Sequence, residues 1–329
     1  MTDEIKSHAL AHVFNELTPE KVIHSVESAG HVPTGRVAIL NSYENRVYRI
    51  ELENGESLVG KYYRPGRWSN DTILEEHQFL KELAAEEIPT SVPLTLQSGS
   101  TIDEINGIRF SLFPRILGRS PQEMDDDMLK LAGHLIARIH NVGARHKATH
   151  RLSLTPETYG LQNLNFLLEN DCIPEEAARL YELTVHGLME RISPMFSDVT
   201  LQRIHGDCHF GNLIETRDGF TFLDFDDMVM GPVVQDIWML VPSIDEHGMH
   251  QRKVLLSAYQ EIRDFDATQL RLIEPLRALR FIHYSTWIAK RFDDPTFQRM
   301  FSYFGTLQYW QNEVNDLREQ IARIDNFYC

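Results

Sequence analysis

Cysteine is scarce in this chain of 329 residues: Cys172, Cys208 and Cys329 are scattered, and no C-x-x-C pair occurs. An odd, unclustered set points to neither a disulfide framework nor a structural zinc site. No apolar run approaches the ~20 residues of a membrane-spanning helix. The opening Met1-Thr2-Asp3-Glu4 lacks the basic-then-apolar pattern of a secretory leader. A cytoplasmic location without a membrane partner is therefore expected. Positive charge is also in short supply, with 32 Lys and Arg against 48 Asp and Glu, a net charge of −16. That balance repels nucleic acid, so no nucleic-acid partner is expected. A polyphosphate site in such a chain must gather its own local cations. What the chain does have is a 42% hydrophobic and 10% aromatic composition, enough to build two separate cores without staples.

Pattern along the chain divides it in two. Residues 19–29 carry Val22, Ile23 and Val26 at helical spacing and end at Gly30. Strand-like pieces follow at Arg36–Leu40, Arg46–Glu51 and Ser57–Tyr63, the last two joined across Asn54-Gly55, a hairpin signal. Residues 70–86 read as a helix with Ile73, Leu74, Phe79, Leu80 and Leu83 on its apolar side, and strands are expected around 92–97 and 107–113. After Phe113-Pro114-Arg115 the character changes. Met128, Leu131, Ala132, Leu135, Ile136 and Ile139 recur at helical spacing, residues 174–192 form another candidate helix, and helices resume from Val234 to Tyr328. The fold class expected is α+β with two lobes. A small antiparallel-sheet lobe with one inserted helix spans residues 1–113, and a larger helical lobe spans 114–329.

The most informative segment is His205-Gly206-Asp207-Cys208-His209-Phe210-Gly211-Asn212, followed by Leu223-Asp224-Phe225-Asp226 beyond an Asp218-Gly219 turn. Phosphoryl transfer needs a carboxylate to orient the attacking hydroxyl, and an amide oxygen with a second carboxylate to hold Mg²⁺. The spacing matches H-R-D-x-x-x-x-N, with Gly206 in place of Arg and Asp224 in place of the D-F-G aspartate. Asp207 is the expected base, and Asn212 and Asp224 are the expected Mg²⁺ ligands, hard oxygen donors suited to that ion.

That reading gives meaning to residues upstream. Lys61 sits on the third strand, where a nucleotide-phosphate lysine belongs, and a Glu from the following helix should hold it. Glu76 is the first choice and Glu75 the fallback, since helical phase does not separate them. The loop Asn41-Ser42-Tyr43-Glu44-Asn45 occupies the place of a glycine-rich loop yet has no glycine. Its amides and the Ser42 hydroxyl can still face phosphates, because a nest of N–H groups needs a turn rather than glycine itself. Adenine is expected against the backbone at Leu112, Phe113 and Pro114.

Rival readings use the same residues. His205 and His209, with Cys208, Asp224, Asp226 and Asp227, could ligate a transition metal for hydrolysis, but Gly206 and Gly211 favour a loop over the helix that a His-x-x-x-His pair requires. Asp226 and Asp227 are expected to be solvated or secondary metal partners, Asp236 structural, and His140 packed and hydrogen-bonded. A non-catalytic nucleotide-binding regulator would have no use for Asp207.

The catalytic segment with Asp224 resembles the aminoglycoside phosphotransferase and choline kinase branch of the protein-kinase-like fold. The resemblance is closer still to the bacterial stress response kinase A group of serine/threonine protein kinases. It is carried by residues 40–48, Lys61-Tyr62-Tyr63-Arg64-Pro65, residues 73–79, residues 231–240 and residues 272–278. It implies ATP and Mg²⁺ dependence, a cytoplasmic monomer, and transfer to Ser or Thr of proteins, itself included, in a stress role. By the same resemblance Asp207 is the proton acceptor, Asn212 and Asp224 bind Mg²⁺, and Ser42 lies against ATP. The chain departs from ordinary protein kinases in lacking a glycine-rich loop, a D-F-G glycine and an A-P-E segment, so activation-loop control is not implied. A small hydroxylated cation, such as an amino sugar or amino alcohol, stands as the alternative acceptor.

Overall fold

The computed structural model describes residues 14, 16–40, 42–217 and 219–326. Asn41, Asp218, Tyr328 and Cys329, named above, lie outside these. Helix α1 (Pro19–Ser28) precedes strands β1 (Pro33–Leu40), β2 (Arg46–Leu52) and β3 (Ser57–Tyr62), helix α2 (Asn70–Ala85), and strands β4 (Asp103–Ile105) and β5 (Ile108–Pro114). The strands form one antiparallel sheet in the order β1-β2-β3-β5-β4. Alternation along β3 sends Leu58 and Tyr62 into a small core with Tyr48, Ile50, Phe110 and Leu112, while Val59 and Lys61 face the other way. One expectation fails here: residues 92–97 are not a strand. The extra strand is β4, which turns into β5 through Asn106-Gly107, both at positive φ (50° and 80°), a turn dipeptide overlooked in the sequence.

Ser69 caps α2 by accepting from the Thr72 amide at 3.1 Å. The helix belongs to both lobes, since Phe79, Leu80 and Leu83 enter the large core. Leu74, assigned above to the apolar side, is exposed, as is Leu131 on the first helix of the large lobe. That lobe contains α3 (Asp126–Gly143), α4 (Gln162–Glu169), α5 (Glu175–Ile192), short strands β6 (Gln202–Ile204), β7 (Leu213–Thr216), β8 (Gly219–Phe222) and β9 (Val229–Gly231), then α6 (Val234–Leu240), α7 (Glu246–Gln260), α8 (Ile273–Ala289), α9 (Pro295–Met300) and α10 (Leu307–Asn326). Trp310 of α10 is fully buried, edge-on to Tyr181 of α5 at 5.0 Å. The paired strands β6–β9 and β7–β8 interrupt the helices and present the catalytic segment to the sheet lobe.

Candidate active site

The catalytic loop runs from β6 to β7 and is held from beneath. Asp236 of α6 accepts from the His205 and Gly206 amides, both at 2.9 Å, and contacts the buried His140 ring at 3.0 Å. His140 contacts Tyr259 on its other side, so both residues have the structural parts expected of them. Gly206 has φ +84°, and a Cβ there would lie 2.3 Å from the Asp227 carbonyl oxygen. The arginine of the H-R-D pattern therefore has no room in this loop. Asn212 closes the loop by donating its side-chain N–H to the Asp207 carbonyl at 3.0 Å, and its own carbonyl accepts from Leu223 at 2.8 Å. That bond sets Asn212 beside Asp224. The donation is made by nitrogen, leaving the amide oxygen as the group available to a cation.

The Asp207 carboxylate is held at both oxygens, by Arg280 of α8 at 2.9 Å and His209 at 3.3 Å. Burial opposes its ionisation, but the His209 hydrogen bond and the Arg280 charge outweigh burial and hold it below the usual carboxylate range. His205 turns away, contacting the Leu223 carbonyl and packing on Phe225. The two histidines thus do not converge, and among the described residues no cluster of three His, Cys, Asp or Glu is placed to hold a metal ion.

Lys61 is buried and reaches Asp224 at 3.0 Å, Asp226 at 3.2 Å and Glu76 at 3.4 Å. Burial acts against its charge, yet these three carboxylates raise its pKa well above the ordinary lysine value. Adjacent residues on a helix point about 100° apart, and here Glu76 faces inward while Glu75 accepts from the Thr149 and His150 amides. Arg151 holds the other Glu76 oxygen at 3.3 Å. Asp224 itself has φ 59° and ψ 66°, the left-handed region that a non-glycine residue seldom occupies.

Asp226 corrects the expectation that it would be solvated. It is 2% exposed, engaged by Lys61, Arg67 and the Asn45 amide. Burial opposes its ionisation, and Arg67, Lys61 and Arg151 overcome that to lower its pKa. Arg67 also holds Asp227. The sequence reading did not single out Arg67, Arg151 or Arg280; the one available signal was that an acidic chain needs local cations around any phosphate.

The β1–β2 loop is secured by side chains across the cleft. Glu44 accepts from the Trp287 indole at 2.7 Å and pairs with Arg291 at 2.5 Å, both at the far end of α8, and with Arg64 at 3.3 Å. Ser42 accepts from the Asn45 amide at 3.3 Å. Beneath the loop lies a cavity of about 320 Å³ whose walls include Ser42, Lys61, Glu76, Phe113, Asn212 and Asp224. Of the sequence-predicted residues, Asp207 and Leu112 are not among those walls; Asp207 adjoins them through Asn212, which donates to its carbonyl. Leu112 is fully buried in the small core, and its carbonyl accepts from Leu94, so the wall continues instead through Pro114, Arg115 and Ile116. A second cavity of about 590 Å³ opens beyond Arg67, between the Arg64–Trp68 arm and α8.

Comparison with known proteins agrees with this geometry. The model of the phosphotransferase enzyme family matches residues 36–273. Serine/threonine protein kinase RdoA of Salmonella typhimurium is 33% identical over 311 residues, covering 94% of each chain. Stress response kinase A of Escherichia coli K12 matches at 33% over the same share. Among solved structures, an amicoumacin kinase in complex with AMP-PNP and Ca²⁺ superposes with a TM-score of 0.74 at 19% identity, covering 96% of each chain. A spectinomycin phosphotransferase gives a TM-score of 0.64 at 13% identity, over 93% of this chain and 99% of that one. These likenesses show the two-lobed protein-kinase-like fold. With its catalytic loop, lysine–glutamate pair and cleft assembled in that fold, the chain belongs to the phosphotransferase enzyme family, and the stress response kinases A are among its relatives.

Proposed function

We propose that the chain is an ATP- and Mg²⁺-dependent serine/threonine protein kinase with a part in a stress response, acting as a cytoplasmic monomer on protein hydroxyls, its own included. The observation that carries the reading is the joint presence of two things on and beside the catalytic loop, linked through Asn212. Lys61 bridges Glu76 and Asp224, and a separate ionised carboxylate, Asp207, is held ready by Arg280 and His209. A protein that only bound nucleotide would have no use for the second. The relatives that bear the kinase names cover 94% of the chain, which supports the protein acceptor.

The donor set suits a hard divalent cation. Asp224 is about half-exposed, and Asn212 makes its side-chain donation through nitrogen, which leaves an oxygen on each to face a cation. Asn212 and Asp224 would hold Mg²⁺ through oxygen, and the ion would spread the charge of the moving phosphoryl group. Lys61 and Ser42 gather the phosphates, and Phe113 with the Pro114–Ile116 backbone walls the adenine. Asp207 aligns the acceptor hydroxyl and takes its proton as the oxygen bonds to the γ-phosphorus and the bond to the departing ADP oxygen breaks. Positioning and fixed charge supply most of the acceleration.

A second reading, a small hydroxylated acceptor, is favoured by one observation: the cavity of about 590 Å³ is within the range of small-ligand pockets. Intact-mass spectrometry after incubation with ATP and Mg²⁺, beside Asp224→Ala, tests both. Phosphate gained on Ser or Thr by the unaltered chain alone is the expected result. No gain with ATP still bound would turn the reading to the small acceptor, and no ATP binding would overturn both.

A further inference from the structure

The larger cavity is a built site, and its polar groups are unevenly satisfied. Its carboxylates are engaged: Asp294 receives both terminal nitrogens of Arg64 at 3.2 Å and the Thr296 amide at 2.8 Å, and Asp227 is held by Arg67. Asp293 also lines the cavity and is exposed. The buried polar atoms left on its walls are donors. Two buried polar atoms on its lining residues have no hydrogen-bond partner, Trp68 Nε1 and Arg291 Nε, and both carry N–H. Arg291 is only 9% exposed, and with Glu44 and the Trp287 carbonyl on its terminal nitrogens, Nε is the donor it has left. Lys290 lines the same cavity over the Phe166 ring at 4.9 Å, and no carboxylate pairs with it among the described residues. His283, stacked on Tyr159 at 4.3 Å, is kept neutral by burial, its pKa lowered to about 3.

The cavity also leads to the reacting centre. Arg280, His283, Trp287 and Lys290 follow one another at helical spacing along one side of α8 and its end. Arg280 touches Asp207, and Lys290 stands about 15 Å farther on at the helical rise. An extended chain covers that distance in about four to five residues.

Resting on the kinase reading above, we infer that this cavity is the acceptor's specificity site and that it takes an anion: a Ser or Thr segment carrying a carboxylate about four to five residues from the hydroxyl. Lys290, Arg291 and Trp68 receive the carboxylate while the hydroxyl reaches Asp207. A cationic amino sugar or amino alcohol would meet unpaired donors and a like charge here, so the inference opposes that class although the chain as a whole is acidic.

The test uses the full chain with labelled ATP and Mg²⁺ on three acceptors: a Ser peptide with Glu four and five residues to either side, the same peptide with Lys at those places, and ethanolamine. The acidic peptide should show a KM at least about tenfold lower than the lysine peptide, the scale of one hydrogen bond to a charged group. Lys290→Glu should reverse that ranking, and Trp68→Phe, which keeps a ring but removes the N–H, should raise the KM for the acidic peptide alone. Equal use of both peptides, preference for the lysine peptide or ethanolamine, or no peptide phosphorylation despite ATP turnover would each overturn the inference and leave the phosphotransferase activity standing. Absence of ATP binding in the same preparation would instead remove the kinase reading itself.

Discussion

The Lys61 cleft, proposed for nucleotide, and the larger cavity, proposed for the acceptor, are made differently. In the cleft, Lys61, Glu76, Asn212 and Asp224 come from short stretches; Lys61 is tied to Glu76 and Asp224, and Asn212 to Leu223, the residue before Asp224. The cavity is assembled from residues far apart in the chain, among them Arg64–Trp68, Tyr159, His283, Trp287, Lys290 and Arg291. Chemistry common to every phosphoryl transfer constrains the first. Only the shape and charge of one acceptor constrains the second, so the cavity carries the individuality of the enzyme.

Substitutions can break that division. Asp207→Ala should cost ~10²–10⁴ in rate, the usual effect of losing a positioned base, with ATP affinity and folding retained. A rate loss accompanied by lost ATP affinity would mean that the base and the cleft are not separate parts. Arg67→Met should lower stability to urea by about 3 kcal/mol, the low end for breaking a buried pair, because Lys61 and Asn45 still touch Asp226. It should also disturb both regions, as the residue between them. Lys61→Met should raise the KM for ATP about tenfold or more and leave the acceptor KM in place; equal movement of both would join the two regions into one. The smallest effect lies outside both. Glu313 of α10 accepts from Ser285 of α8 at 2.9 Å and is pushed up to about 7 by burial. Its stabilising share is full below its unfolded pKa, near 4.5, and is lost as pH rises through about 7. Glu313→Gln should therefore flatten the melting temperature between pH 5 and 8. An unchanged slope would show that α10 does not hold α8, the helix that lines the cavity, by this group.

The same contrast explains what the sequence disclosed. Asp207, Asn212 and Asp224 are readable because the loop fixes their separation, and Lys61 because strand alternation puts it on the face opposite Tyr62. The Glu75–Glu76 choice needed the third dimension: only the packing of α2 on both lobes tells which side of the helix faces Lys61. Leu112 was misplaced for a related reason, since one step along β5 exchanges the core for the cleft. The expectation of Asp226 as a solvated or secondary metal partner misses its burial because three cations from distant segments, Lys61, Arg67 and Arg151, must converge before burying it is tolerable. The strand around 92–97 failed because hydrophobic residues punctuated by proline satisfy a strand pattern without a partner edge, whereas Asn106-Gly107 marked the true hairpin.

The β1–β2 loop has a consequence for timing. A glycine-rich flap can lift by itself, but this loop is strapped to the opposite lobe by Glu44 and Asn45. If the cleft holds nucleotide as proposed, these straps would have to part before it could leave past the loop. On that reading Trp287 and Arg291 would set how long ADP stays, and the stretch of chain proposed to meet the acceptor would also time the departing product.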